Sequence, residues 1–168
     1  MLYPDLVPLD VDAYLTRTGY AGSVAPTADV LAGLHLAHAT HVPFENLDVY
    51  ADRPVRLDLD SLQAKLVRNR RGGYCFEQNS LFAAVLDRLG FRVTPFAARV
   101  RYRTTGLLPR THMLLRVDLT DGPYLADVGF GGEGLLLPVP LVPGRECRQF
   151  LWTCRVIREG ELWVLQAR

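Results

Sequence analysis

The chain has little of what marks most specialised classes of protein. It holds 3 cysteines in 168 residues, widely separated, which does not make a disulfide framework. Its charges nearly cancel: 19 basic against 18 acidic residues leave a formal net charge of +1. That balance gives no reason to invoke nucleic acid, a membrane surface or an acidic partner. No apolar run approaches the length of a transmembrane helix. Pro4, Asp5 and Pro8 stand where a secretory signal would need a basic start and an apolar run. No internal repeat and no low-complexity segment is present. These absences lead us to expect a cytoplasmic globular protein with reduced thiols, built as one large domain or two small ones.

What is present centres on Arg71-Gly72-Gly73-Tyr74-Cys75-Phe76-Glu77-Gln78-Asn79. Leu81, Phe82, Val85, Leu86 and Leu89 recur at helical spacing, so a buried helix is predicted from near Cys75 to Leu89, with Gly90 as its stop. Cys75 then lies in the first turn or just before it. Unpaired N–H groups and the positive end of the helix dipole favour a thiolate there, and the thiolate is the nucleophile. Gly72 and Gly73 permit unusual backbone angles and leave room beside the sulfur. Taken alone, Cys75 reads more readily as a buried structural cysteine after a glycine turn.

Two later segments change that balance. Residues 111–117 read as a strand with His112 near its start, and residues 124–131 as the next strand, carrying Asp127 and ending in glycines. Asp121-Gly122 between them is a hairpin signal. Such a hairpin draws His112 and Asp127 together. A cysteine at a helix start, a histidine as base and a carboxylate to orient it form the pattern of a Cys-His-Asp triad.

The rest of the chain divides in two. Asp10 is expected to cap a helix through Thr18, Thr27 a second ending before Pro43, and Asp60 a third with Leu62, Leu66 and Val67 inward. With the Cys75 helix, these make residues 1–90 a helical unit. Val42–Tyr50 reads as irregular or briefly extended. His35, His38 and His41 follow one another at intervals of three, but positions six apart on a helix diverge, so no metal site is expected. From Phe91 onward a strand to Tyr102 with a break near Pro95, the His112 and Asp127 strands, and a second hairpin around Glu159-Gly160 indicate an antiparallel sheet or small barrel over residues 91–168. The glycines of 129–134 lack the lysine and following helix of a phosphate-binding loop. Cys147 and Cys154 are expected only to pack.

Val42-Pro43-Phe44-Glu45-Asn46-Leu47, the nonapeptide around Cys75, the His112 strand and Asp127-Val128-Gly129-Phe130-Gly131 together resemble the arylamine N-acetyltransferases, across the whole chain. The resemblance implies an α+β fold: an N-terminal helical bundle, then an antiparallel β-barrel-like domain, with a cysteine-proteinase-like catalytic core. Family members are longer and carry a third, α/β lid domain, before which this chain stops. The resemblance further implies Cys75, His112 and Asp127 as catalytic residues, and acetyl transfer from acetyl-CoA through an acetyl-cysteine to an aromatic amine or hydrazine. Coenzyme A and a small acceptor would be the partners, with no metal, no nucleic acid and no membrane. Phe44, Val100 and Phe130 would line the acceptor pocket. Glu45 would pair with Arg71, ahead of Gly72 and Gly73, to hold the loop before the nucleophile. Two alternatives use the same residues: a thiol hydrolase or transglutaminase-like enzyme, and a shortened non-catalytic relative.

Overall fold

The computed structural model of the chain describes residues 8–102, 104 and 106–168. The expectation drawn from Pro4 and Asp5 lies outside them. Helix α1 (Val11–Thr18) starts where Asp10 accepts from the Ala13 amide and stops at Gly19, whose left-handed backbone closes the last turn. Thr27 caps α2 (Ala28–His41) through the Val30 amide. A short helix α3 (Leu47–Tyr50) forms inside the segment expected to be irregular. Asp58, not Asp60, caps α4 (Leu59–Leu62), by accepting from Ser61 N. Asp60 falls inside the first turn and pairs with Arg68 instead. The helix then widens into π-helix over Gln63–Arg68, before α5 (Cys75–Arg88).

The strands form two antiparallel sheets. The first has the order β1 (Arg92–Ala98), β2 (His112–Leu119), β3 (Gly122–Ala126) and β4 (Val139–Pro140). The second joins β5 (Glu146–Gln149), β6 (Trp152–Glu159) and β7 (Leu162–Ala167). Among the described residues the sheets do not close into the expected barrel. Pro95 does not break β1; it sits in register opposite Leu115. β1 is an edge strand, so the N–H that proline lacks is one the ladder can forgo. The first strand of the hairpin expected around Glu159-Gly160 begins at Trp152, because Phe150 takes a left-handed turn conformation that lets β5 and β6 pair.

A single apolar core joins the helices to the first sheet. Leu31, Leu34, Leu62, Leu66, Leu81, Phe82 and Leu86 meet Leu115, Val117 and Ala126 there. Each of the leucine, valine and phenylalanine side chains contributes about 1.5–3 kcal/mol by leaving water. β2 is buried on both faces: Leu114 points the other way, into a second cluster with Leu125, Cys154 and Val156 between the sheets. α5 therefore lies against β2, and its N-terminus is pressed toward the start of that strand.

Candidate active site

Cys75 is the first residue of α5 and is buried at 8% exposure. The loop before it is tied to the Pro43–Glu45 segment. Gly73 forms a parallel bridge with Phe44, its amide donating to Pro43 O and its carbonyl accepting from Glu45 N. A Cβ on Gly72 would lie 1.9 Å from the Pro43 carbonyl oxygen, so only glycine fits at this crossing. Gly129 makes a comparable approach, where a Cβ would lie 2.8 Å from Cys75 Cα.

His112 opens β2 and Asp127 directly follows β3. Both are buried, and His112 Nε2 lies 2.5 Å from Asp127 Oδ2. Nδ1 is then the ring nitrogen left to face the Cys75 sulfur, which favours the charged imidazole. Burial alone would drive the imidazole toward neutrality. The hydrogen bonds to Asp127 and Cys75 outweigh it and push the His112 pKa up to about 9. The Cys75 sulfur also lies 3.8 Å from the Thr111 carbonyl oxygen.

Asp127 is held from three further directions. Its Oδ1 accepts from Asn79 Nδ2 at 3.0 Å and from Gly129 N at 3.0 Å. Its amide donates to His35 Nε2 at 3.0 Å. Asn79 also donates to Met113 O and accepts from Val128 N. One polar face of α5 thus carries Cys75, Gln78 and Asn79 at helical spacing. Gln78 Nε2 donates to Pro43 O and Gly73 O, while its Oε1 accepts from His38 Nε2, and Tyr14 donates to His38 Nδ1. The histidines of α2 that a sequence reader would weigh as metal ligands are two members of buried hydrogen-bond networks, with His41 at the exposed end. No group of metal-ligating side chains occurs among the described residues.

Arg71 donates to Glu45 Oε1 through Nη2 at 2.7 Å and Nε at 3.1 Å. The pair belongs to a larger network that sequence reasoning missed. Asp48 joins Arg71 at 3.0 Å and Lys65 at 2.8 Å, and Lys65 joins Glu77 at 2.7 Å. Burial pulls the Lys65 ammonium down, but Asp48, Glu77 and Glu45 more than offset this, and its pKa is raised. Glu77 reaches back to the Tyr74 amide at 3.1 Å, tying the network to the residue before Cys75. Two signals pointed to it: Glu77 stands at the third helical position, and Lys65 is the only lysine in the chain.

Phe44 and Phe130 line a cleft of about 150 Å³ with Asp127, Val128, Gly131 and Leu135. Phe130 meets His112 edge to face, with ring centroids 5.3 Å apart. Val100, half-buried just beyond β1, is not among the residues that line this cleft.

Residues 27–168 match the N-acetyltransferase family by sequence profile. The arylamine N-acetyltransferase of Escherichia coli K12 is 46% identical over 154 residues, which cover 91% of this chain and 55% of that protein. The solved arylamine N-acetyltransferase of Salmonella typhimurium superposes with a TM-score of 0.90 at 43% identity, over 94% of this chain and 58% of that one. A Mycobacterium marinum arylamine N-acetyltransferase solved in complex with CoA gives 0.89 at 41% identity, over 94% and 60%. The chain belongs to the arylamine N-acetyltransferase family. It spans about half to three-fifths of the length of these relatives.

Proposed function

We propose that the protein transfers an acetyl group from acetyl-CoA to an arylamine, arylhydrazine or N-hydroxyarylamine through an acetyl-cysteine at Cys75. The single observation that carries this is His112, buried between the Asp127 carboxylate and the Cys75 sulfur, with a pKa of about 9. At neutral pH that imidazolium stabilises a thiolate beside it. The thiolate attacks the thioester carbonyl, and free amides in the first turn of α5 stabilise the oxyanion. Collapse expels the coenzyme A thiolate, which takes its proton from His112. The acceptor amine then attacks acetyl-Cys75 and passes a proton back to His112, releasing the amide and restoring the ion pair. Asp127 holds the imidazole in one tautomer throughout. No step calls for a metal.

The architecture fits this chemistry as a division of labour. We read the described part of residues 1–90 as a helical domain carrying the nucleophile, and that of residues 91–168 as a β domain carrying histidine and aspartate. That is the plan of a cysteine-proteinase-like core. Phe130, beside His112, and Phe44, in the same cleft, are both part-exposed and offer an aromatic acceptor two rings. Val100 would contribute only from the rim. The close relatives are named for arylamine acetylation, and one was solved with CoA, which supports the choice of donor and acceptor.

The test is single-turnover mass spectrometry with acetyl-CoA, followed by addition of an arylamine. One acetyl group should appear on the Cys75 peptide and leave when the amine is added. Acetyl loss at the same rate without amine would favour a thiol hydrolase. Failure of both acetyl-CoA and an activated acetyl ester to label Cys75 would overturn the reading.

A further inference from the structure

His35 lies 92 residues from Asp127 in the chain and touches its backbone. The imidazole is fully buried, against the Phe82 ring edge. Its Nε2 accepts from the Asp127 amide at 3.0 Å, and its Nδ1 lies 3.0 Å from the Leu136 carbonyl oxygen. These partners dictate one state. Nε2 faces an N–H and must carry the lone pair; Nδ1 faces a carbonyl and must carry the proton. A proton on Nε2 would set two N–H groups head to head and push the amide away. Behind Leu136, the buried Gln149 of β5 accepts from the amides of Leu136 and Leu137 and donates to Leu137 O. A chain of hydrogen bonds therefore runs from the second sheet, through the 136–137 segment and His35, to the residue that orients His112.

We propose that His35 is a positioning residue: a neutral imidazole with its proton on Nδ1 that fixes the Asp127 backbone, and with it the carboxylate on His112, against a frame anchored by Gln149. This rests on Asp127 as the orienting carboxylate of the acetyl-transfer site. Among the described residues His35 is the one hydrogen-bond partner of the Asp127 amide, and the side chain has no slack: Oδ2 meets His112 while Oδ1 meets Asn79 and Gly129. A shift of the backbone must either lengthen the His112 contact or break one on Oδ1. The titratable group acting on His35 is the Asp127 carboxylate, and His35 in turn acts on His38, one turn further along α2. Burial, the largest influence, holds the His35 pKa down to about 4, so the clamp stays neutral across the physiological range.

Nitrogen-15 NMR of the histidine rings tests this without relying on turnover. In the wild-type protein His35 should show the Nδ1–H tautomer and remain neutral at pH 6. His35→Phe keeps an aromatic ring of similar size but offers the Asp127 amide no acceptor. In it the His112 titration midpoint should fall from about 9 toward 6.5, by roughly one unit or more. The rate of Cys75 alkylation at pH 7 should fall about tenfold or more, as expected for a misplaced reacting group. His35→Gln, which retains an acceptor, should keep the midpoint near the wild-type value, and Gln149→Leu should move it the same way as His35→Phe but less. A folded His35→Phe protein with an unchanged His112 midpoint would overturn the proposal. So would a wild-type His35 that is charged at pH 6 or protonated on Nε2, a result that stands even if no variant folds. If the midpoint responds but wild-type Cys75 proves unreactive, the clamp holds and the transfer reading fails.

Discussion

Asp127 uses its two oxygens for different tasks. Oδ2 meets His112, and Oδ1 is saturated by the Asn79 amide and the Gly129 N–H. Asp127→Asn therefore has no good rotamer. With its NH₂ toward His112 it forces the imidazole proton onto Nδ1, the wrong side for a proton acceptor at the sulfur. With its NH₂ toward Asn79 and Gly129 it opposes two donors. The variant should fold, yet acylate Cys75 about 10⁴-fold more slowly, the loss seen when a triad carboxylate becomes an amide. The measurement is the acetylation rate of Cys75 with an activated ester; a wild-type rate would remove Asp127 from its role. Cys75 should likewise be the only thiol modified by brief iodoacetamide treatment at neutral pH. Burial raises the pKa of both Cys147 and Cys154, and no histidine among the described residues acts on either thiol. Equal labelling of either in the folded protein, read by peptide mass spectrometry, would count against the special state of Cys75.

Between elements, the ion network decides how α3, the π-helical turn and the start of α5 stay together. The sequence suggested one critical pair, Glu45 with Arg71. The structure shifts the weight inward. Arg71 is 37% exposed at its side chain and has both Glu45 and Asp48, so losing Glu45 still leaves it paired. Lys65 is 14% exposed and bridges Asp48 to Glu77, whose side chain is only 3% exposed. Lys65→Met would leave the Glu77 carboxylate buried without its cation, a loss of about 3–5 kcal/mol. Arg71→Met should cost about 1 kcal/mol or less, as for a solvent-screened pair. Urea denaturation of the two variants checks the order, and a larger loss from Arg71→Met would refute it. A double-mutant cycle of Glu45→Gln with Arg71→Met should give a coupling below about 1 kcal/mol for the same reason.

At the scale of the whole molecule, three buried histidines shape stability against pH in opposite directions. His35 and His38 have folded pKa values lowered to about 4 and about 3, mainly by burial. Below pH 6.5 the unfolded chain takes up protons that these two refuse, so stability is full above 6.5 and falls as pH drops through the window toward 4. Each proton contributes a slope of about 1.4 kcal/mol per pH unit. His112 has the opposite sign: raised to about 9, it binds a proton in the folded state, and the stability it contributes is present below 6.5 and lost as pH rises through 9. The unfolding free energy should therefore peak near pH 6.5. A midpoint series in urea from pH 5 to 9 tests this, and a profile that rises steadily across that range would contradict it.

How much of this was legible depends on the distance over which each cause acts. Residues adjacent in sequence determined the capped helices, the Asp121-Gly122 turn between β2 and β3, and the exposure of Cys75 to a helix N-terminus, because caps, turns and periodicity act over a few residues. That local logic also put cysteine, histidine and aspartate in an order from which a site could be inferred. It misled where tertiary position overrides a local rule: Pro95 continues a strand because its strand is at an edge, and Asp58 displaces Asp60 as a cap because the helix begins earlier than the apolar spacing suggests. Helix α3 was missed because four residues carry no periodic signal. Only the tertiary structure could decide what His35, Asn79, Asp48 and Lys65 do. Their partners lie 92, 48, 23 and 12 residues or so away along hydrogen bonds and ion pairs such as His35–Asp127, Asn79–Asp127, Arg71–Asp48 and Lys65–Glu77. A buried polar group must find a partner, but which one it finds is settled by how the chain packs.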